Sequence, residues 1–351
     1  MKDIARMALQ KDMEIAKDII SGMGEIIVKA NTKVTDQIIQ KLARYNIMVV
    51  PIMEDVDYAV TYFEKIRLSE GFRRFEKVYR EGMDQYKNLI KVFLDGTISL
   101  PMDALMEIYH MINDSVDVHN KTLDYLYNLL PNEEDLTYAH CLNSALIAGV
   151  FGPWLGFRKE ENDLLIKCGF LYDIGKFKLP NELIWKPSRL TEIEFTQMKT
   201  HTILGFQLLQ GQKVPETVLK ATLSHHERFD GSGYPSRLHD LQIDYYARII
   251  AIIDSYEAMT SLRTWRESKH PFQVIDIFLG DAFKYDMDIL RQILFNVANH
   301  LIGQKVLLSN DVKAEVVLIN QANMARPLLR EDNGTFIDLM SRTDLKIMGI
   351  Y

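Results

Sequence analysis

The sequence predicts a mainly α protein, a helical bundle flanked by small α/β or β elements. Two observations predict it. From Tyr58 to His300 apolar residues recur at intervals of three and four, as at Leu89 to Phe93 and Met106 to Tyr109. At both ends that period gives way to short β-type runs bounded by turn residues. A length of 351 residues allows one sizeable core with one or two smaller units. The 47% hydrophobic and 25% charged residues are the proportions of a globular chain.

Residues 1–53 read as a small N-terminal α/β element. Gly24–Asn31 (GEIIVKAN) is a strand with a turn after it, and Val34–Tyr45 has helical spacing with Ile38, Ile39 and Leu42 on one side. Asn46 is the stop, and Ile47–Ile52 is a short strand that ends near a proline. Residues 54–130 form a helical linker or dimerisation region with breaks near Gly96 and Pro101, and plain scaffold is an equal reading. Residues 131–300 continue the helical pattern. Asn132–Asp135 stands as a cap for the helix that carries His140, and Pro180, Pro187, Pro215 and Pro235 punctuate the loops. Residues 301–351 form a C-terminal β-rich extension. Lys305–Gln321 and Thr335–Tyr351 are short strands able to build a small sheet, with or without the N-terminal ones.

A formal net charge of −7 argues against a DNA or RNA polymer as partner, while leaving room for a local phosphate pocket. Cys141 and Cys168 are the only cysteines, so no disulfide framework is expected and a cytoplasmic location fits. No run approaches the roughly 18 apolar residues of a membrane span, and the acidic N-terminus lacks a signal-peptide core.

The informative residues are histidines and aspartates that adjoin apolar sequence. His140 precedes CLNSALIAGVFG, Asp173 follows CGFLY, His201 follows FTQMKT, His225 and His226 close VLKATLS, and Asp254 closes ARIIAIID. Buried imidazoles and carboxylates are costly unless paired or metal-bound. Helix-borne N and O donors suit a first-row metal, and a carboxylate such as Asp173 can bridge two ions about 4 Å apart that activate water against a phosphodiester. Spacing alone leaves the other reading open, that each histidine is a hydrogen-bonded core residue. The stretch His225–Leu238 (HHERFDGSGYPSRL) is more specific. Gly231 and Gly233 permit unusual backbone, Asp230 favours a turn, and Tyr234 is placed to meet a ligand. A surface turn with one packed tyrosine, or an ion network of Glu227, Arg228 and Asp230, reads as well. Arg263 and Arg266 share a helix face and Lys176 follows Asp173 by three; each offers charge to a phosphate or simply to solvent.

These motifs together resemble the bacterial HD-GYP family, a branch of the HD superfamily of metal-dependent phosphohydrolases. The resemblance runs from about Thr137 to His300, on HHERFDGSGYP, ARIIAIIDSYEAMTS, DIGKFKLP and MKTHTILG. It implies a helical HD-type bundle and a cyclic-di-GMP phosphodiesterase that yields pGpG and/or GMP through a metal-bridging hydroxide. The cofactors it implies are two divalent metal ions, iron or manganese. By the same resemblance His140, Asp173 and Asp254 hold the first ion, and Asp173 bridges to a second held by His201, His225 and His226. Asp173 and Lys176 become the catalytic pair, while Tyr234, Arg263 and Arg266 become substrate contacts.

Two positions depart from the family pattern. Tyr172 stands where the family has a histidine ligand of the first ion, and a phenol with an ordinary pKa of about 10 is a poorer ligand. Leu136 stands where three-metal members have a glutamate, so no third metal is expected. The altered ligand position leaves an alternative, a catalytically impaired cyclic-di-GMP receptor or signalling interaction protein. A homodimer through the helical region or a signalling protein partner would suit either. No membrane association is expected.

Overall fold

The computed structural model describes residues 2–6, 9–21, 26–45, 47–53, 61–116, 121–184, 186, 188–262 and 268–351. They fall into two compact units, one drawn from Met1–Val60 and Leu262–Ser268, the other from Thr61–Ser261 and Lys269–Tyr351.

In the first unit β1 (Lys2–Ala5), β2 (Ile19–Ile20) and β3 (Ile26–Val28) precede α1 (Asp36–Arg44) and β4 (Val49–Ile52). β1 pairs antiparallel with β4, and β2 with β3. Thr35 caps α1 by accepting from the Ile38 amide, and Asp36, Lys41 and Arg44 complement the helix dipole at its two ends. The face read from sequence is the buried one: Leu42 is enclosed with Ile15 and Val50, and Ile38 and Ile39 pack at the margin. Asn46, with Gly24 and Glu25 of the first strand expectation, lies outside the described residues.

The second unit starts with α2 (Tyr62–Leu68), α3 (Glu70–Leu94), α4 (Met102–Asn113) and α5 (Thr122–Asn128). α3 buries Phe72, Phe75, Tyr79, Met83, Tyr86, Ile90 and Phe93, a stripe at helical spacing. It ends before Gly96, which takes a positive φ of 73°, and Pro101 opens α4. α6 (Leu136–Trp154) and α7 (Lys159–Leu171) come next. α6 is apolar on every side, so it runs through the middle of the core. Gly169 of α7 lies against α6 so closely that a Cβ there would meet Ala145 Cα at 2.7 Å. That contact sets Tyr172 and Asp173, just beyond, against His140 and Ser144. α3 is tied to the same pair of helices, with the Tyr86 hydroxyl donating to the Phe170 carbonyl at 2.7 Å and the Tyr79 hydroxyl to Asn143 Oδ1 at 2.7 Å. Helices 61–128 therefore share one core with the rest of the unit. Asp135 stands at the N-cap of α6 but makes no cap there; its carboxylate pairs with Lys87 instead.

α8 (Asn181–Ile184), α9 (Glu192–Lys199), α10 (His201–Leu209), α11 (Glu216–Ser224), α12 (Tyr245–Thr260), α13 (Pro271–Gly280) and α14 (Met287–Asn299) complete the bundle. Pro180 and Pro215 fall at helix starts, and Pro187 lies outside the described residues. The tail is a five-stranded antiparallel sheet of β5 (Lys305–Leu308), β6 (Lys313–Leu318), β7 (Leu328–Glu331), β8 (Phe336–Asp338) and β9 (Ile347–Ile350), in the order β8-β7-β6-β5-β9. Among the described residues its strands pair only with one another. β7 falls between the two stretches read as strands from sequence.

His270 joins this sheet to the bundle. Its Nε2 donates to the Ile347 carbonyl at 3.1 Å and its Nδ1 accepts from the Gln273 amide at 3.4 Å, which caps α13 with a neutral ring. Burial lowers its pKa from 6.5 to about 4, against a smaller opposing pull from the Ile347 carbonyl. A depressed imidazole contributes stability that is full above pH 6.5 and lost as pH falls toward 4. That window carries up to about 3 kcal/mol. Urea unfolding between pH 7 and 4 is expected to show this slope in the wild type. His270→Gln, which keeps a donor for Ile347 and has no proton to gain, should make it shallower.

Candidate metal centre

The centre is assembled from five places in the chain: α6, the α7 exit, α10, the end of α11 and α12. The 3-10 turn Ile174–Lys178 follows Asp173 and keeps its carboxylate buried. Two groups of donor atoms result, each within 4.8 Å of one another: Asp173 with His201, His225 and His226, and His140 with Asp173 and Asp254. The structure thus brings together all six residues picked out in the sequence as metal ligands. Asp173 belongs to both groups.

In the first group His201 Nδ1 donates to the Met198 carbonyl at 2.7 Å and His225 Nδ1 to the Thr222 carbonyl at 3.0 Å. Carbonyls can only accept, so both rings keep a proton on Nδ1, and both turn Nε2 inward, the atom a metal ion would take. The two Nε2 atoms are 3.2 Å apart and lie 3.3 and 3.5 Å from Asp173 Oδ1. Asp173 Oδ1 is buried without a hydrogen-bond donor among the described residues. Three ligating atoms converging in a buried place fit a cation. Burial lowers the His201 pKa to about 4 and, with His225 beside it, that of His226 well below the usual range. Burial opposes charge on Asp173 too, but Lys176 and the surrounding imidazoles outweigh it and hold the carboxyl well below its ordinary range. Lys176 is bonded directly to Asp173 Oδ2.

The second group is altered. His140 Nε2 faces Asp254 Oδ1 at 3.0 Å and Asp173 Oδ2 at 3.4 Å, and the Tyr172 hydroxyl sits 2.7 Å from the same nitrogen. Ser144 Oγ lies 3.0 Å from that hydroxyl, which also reaches Asp254 Oδ1 at 3.5 Å. Burial raises the Tyr172 pKa well above 10, and Asp254 and Asp173 add to the effect, so the side chain is a neutral phenol. The residues of this group fit an ion less well than those of the other.

Sequence reasoning missed the support behind His140. Its Nδ1 bonds Glu257, which also accepts from Asn143 Nδ2 at 2.8 Å and from Ser261. Burial opposes charge on His140, but Glu257 and Asp254 hold its pKa up at about 9. The available signal was an acidic residue three places after Asp254 on an otherwise apolar helix.

The loop after His226 is ordered by backbone bonding, not by the ion network read as one alternative. Glu227 accepts from the Ser236 and Leu238 amides at 2.6 and 3.1 Å, and Asp230 from the Ser232 amide at 2.9 Å. Of its two glycines only Gly231 needs a positive φ, 79°; Gly233 is needed for space, since a Cβ there would overlap the backbone of Glu227 and Arg228. Tyr234 stacks on His226 with ring centres 4.7 Å apart. Arg263 and Arg266 lie outside the described residues.

Residues 124–289 match the family described as an HD domain. Over these residues the chain is similar to HD domains of the HD-GYP-like type. Two curated relatives are similar over part of their length. The cyclic di-GMP phosphodiesterase response regulator RpfG of Xanthomonas campestris pv. campestris is 33% identical over 159 residues, 45% of this chain and 42% of that one. A cyclic di-GMP phosphodiesterase of Thermotoga maritima is 35% identical over 164 residues, 45% of each chain. The chain thus spans less than half the length of these relatives. A solved structure, Bd1817, a HDG"Y"P protein from Bdellovibrio bacteriovorus, is similar in fold with a TM-score of 0.52 and 13% identity, covering 84% of this chain and 99% of that one. The two His/Asp clusters are consistent with a binuclear metal site. No helix among the described residues is long and apolar enough to cross a membrane.

Proposed function

We propose that the chain is a metal-dependent phosphodiesterase that opens cyclic di-GMP to pGpG, and onward to GMP where a second cleavage follows. The observation that carries this reading is the meeting of Asp173 Oδ1, which has no donor among the described residues, with the inward Nε2 atoms of His201 and His225, 3.2–3.5 Å apart. His201, His225, His226 and Asp173 would hold one divalent ion, and His140, Asp173 and Asp254 a second, with iron or manganese suited to the N and O donors. Bound there, such ions supply Lewis acidity toward a phosphate oxygen and lower the pKa of water. In the reaction a water oxygen adds to phosphorus, the bond from phosphorus to a ribose oxygen breaks, and that oxygen leaves with a proton. Lys176 keeps Asp173 ionised and brings an ammonium beside the centre. Tyr234 fixes the plane of the His226 ring by stacking on it.

The test is cyclic-di-GMP turnover by anaerobically purified protein supplied with Fe(II) or Mn(II), with metal measured on the same sample. Metal-dependent product formation is the expected result; metal-replete protein that forms none would overturn the enzymatic reading. One observation favours a second reading. The Tyr172 hydroxyl at 2.7 Å from His140 Nε2 weakens the cluster that includes His140, as suits a receptor that binds the nucleotide without cutting it. Tight binding with no turnover would select that reading.

A further inference from the structure

Beneath the loop that follows His226 lies a cavity of 590 Å³ that opens onto His226 and Tyr234. Lys199, Arg228, Arg237 and Lys284 line it, and no carboxylate among the described residues does. The chain as a whole has 48 acidic against 41 basic residues, so this concentration of positive charge is local. Most of it is also uncommitted. Lys284 pairs with Asp281 at 3.0 Å. Arg228 donates to the backbone carbonyls of His225 and Glu227, each at 3.4 Å, and lies over the Tyr285 ring. Lys199 lies over the rings of Phe195 and Tyr234 at 5.1 and 5.8 Å. Among the described residues no carboxylate pairs with Lys199, Arg228 or Arg237. Cations gathered around one cavity repel one another until a counter-charge enters. The same cavity carries aromatic surface, because the Phe195 ring is 49% exposed and stands edge-on to Tyr234 at 6.4 Å.

We propose that this cavity seats the half of a cyclic dinucleotide that is not being cut. Lys199, Arg228 and Arg237 meet its intact phosphodiester, and Phe195 stacks on its purine. The inference rests on the cyclic-dinucleotide reading above and adds the residues that set affinity. The chemistry follows from the ligand's shape. A cyclic dinucleotide carries two phosphates joined through one ring, so a phosphate held at the metal clusters brings the other to an adjoining surface. That surface must be cationic to receive the phosphate and aromatic to receive a base, and the cavity that shares His226 with the metal cluster is both.

The experiment is calorimetry with cyclic di-GMP on the metal-loaded protein. It compares wild type, the double variant Lys199→Gln/Arg237→Gln, and Phe195→Ala. The double variant is expected to raise Kd about tenfold or more, the size of effect of losing hydrogen bonds to a charged group. Phe195→Ala should raise it by about fivefold or more. Metal per chain should stay as in wild type in all of them, and Lys199→Arg/Arg237→Lys should recover most of the affinity. Equal affinity in wild type and double variant would overturn the inference and leave the cyclic-dinucleotide function standing. Metal-replete wild type that binds no cyclic di-GMP would overturn both. Lost affinity accompanied by lost metal would also overturn the inference, since the cations would then be acting on the metal centre.

Discussion

Replacing Tyr172 with histidine is expected to tighten the hold on the second of the two ions, so that metal retained through dialysis rises toward about two per chain, the complement of a two-metal clamp. The same change should increase cyclic-di-GMP turnover by about tenfold or more, the effect usual for restoring a support or ligand of a metal site. The wild-type geometry gives the reason. Four protein groups converge on the cluster with His201, His225 and His226, but three on the cluster with His140 and Asp254. In the latter the Tyr172 hydroxyl bonds His140 Nε2, the atom an ion would need. To admit an ion there, the phenol must withdraw or ionise. Ionisation is opposed by burial and by Asp254 and Asp173. Withdrawal breaks the contacts to His140 and Ser144 inside a packed core in which Tyr172 is wholly buried. A histidine is smaller and can present a lone pair in place of a hydroxyl. Tyr172→Phe separates the two effects, because it takes the hydroxyl away from His140 Nε2 without adding a ligand, and its metal content should rise less. Metal analysis with turnover on all three proteins decides. If Tyr172→His holds no more metal than wild type, the His140 side of the centre is no ion site.

How far the centre could be read from sequence depends on the kind of contact concerned. His140, Asp173, His201, His225, His226 and Asp254 each stand beside apolar sequence that had to be buried, so each could be singled out before any fold was known. That they meet is a different matter. They come from five separate places in the chain, and periodicity tells which face of a helix is buried without telling what it faces. The resemblance of the motifs, and not their spacing, joined them into one site. Glu257, Asn143 and Tyr79 show the limit. Tyr79 reaches Asn143 across 64 positions of sequence, and nothing local in α3 distinguishes that buried tyrosine from Phe75 or Phe93. The fold divides in the same way. α3 was legible because its stripe is one-sided. α6 and α12, apolar almost all round, were legible as buried. β7 was not, since Leu328–Glu331 is short and half polar, and becomes a strand only because β6 and β8 flank it. Asp135 was misread as a cap because its partner Lys87 lies on another helix.

Asp173→Asn is expected to abolish metal-dependent stabilisation altogether and to cut turnover by at least about a thousandfold, the scale of losing metal-ion electrostatic catalysis. One carboxylate serves both clusters. Its Oδ1 faces His201 and His225 at 3.3 and 3.5 Å, and its Oδ2 faces His140 at 3.4 Å and bonds Lys176. Asparagine has the same shape, so the core is not disturbed by a cavity. Its charge is gone, and its amide can turn N–H donors toward the two inward Nε2 atoms that Asp173 Oδ1 faces. The amide oxygen then remains for Lys176. Losing the buried ion pair with Lys176 should lower the melting point of the metal-free variant, so the measure is the further stabilisation that metal adds, which disappears. For wild type, an ion at a hundred times its Kd adds about 2.7 kcal/mol to the folded state. Thermal melts with and without Mn(II) make the comparison without any assay of activity. His225→Ala gives the companion result, because it removes one of four donors from one cluster and leaves His140, Asp173 and Asp254 in place: a weakened metal response there, with none in Asp173→Asn, would mark Asp173 as the shared ligand. An Asp173→Asn protein that still gains stability from metal would mean that the ion is held elsewhere, and the centre built on Asp173 would fall with it.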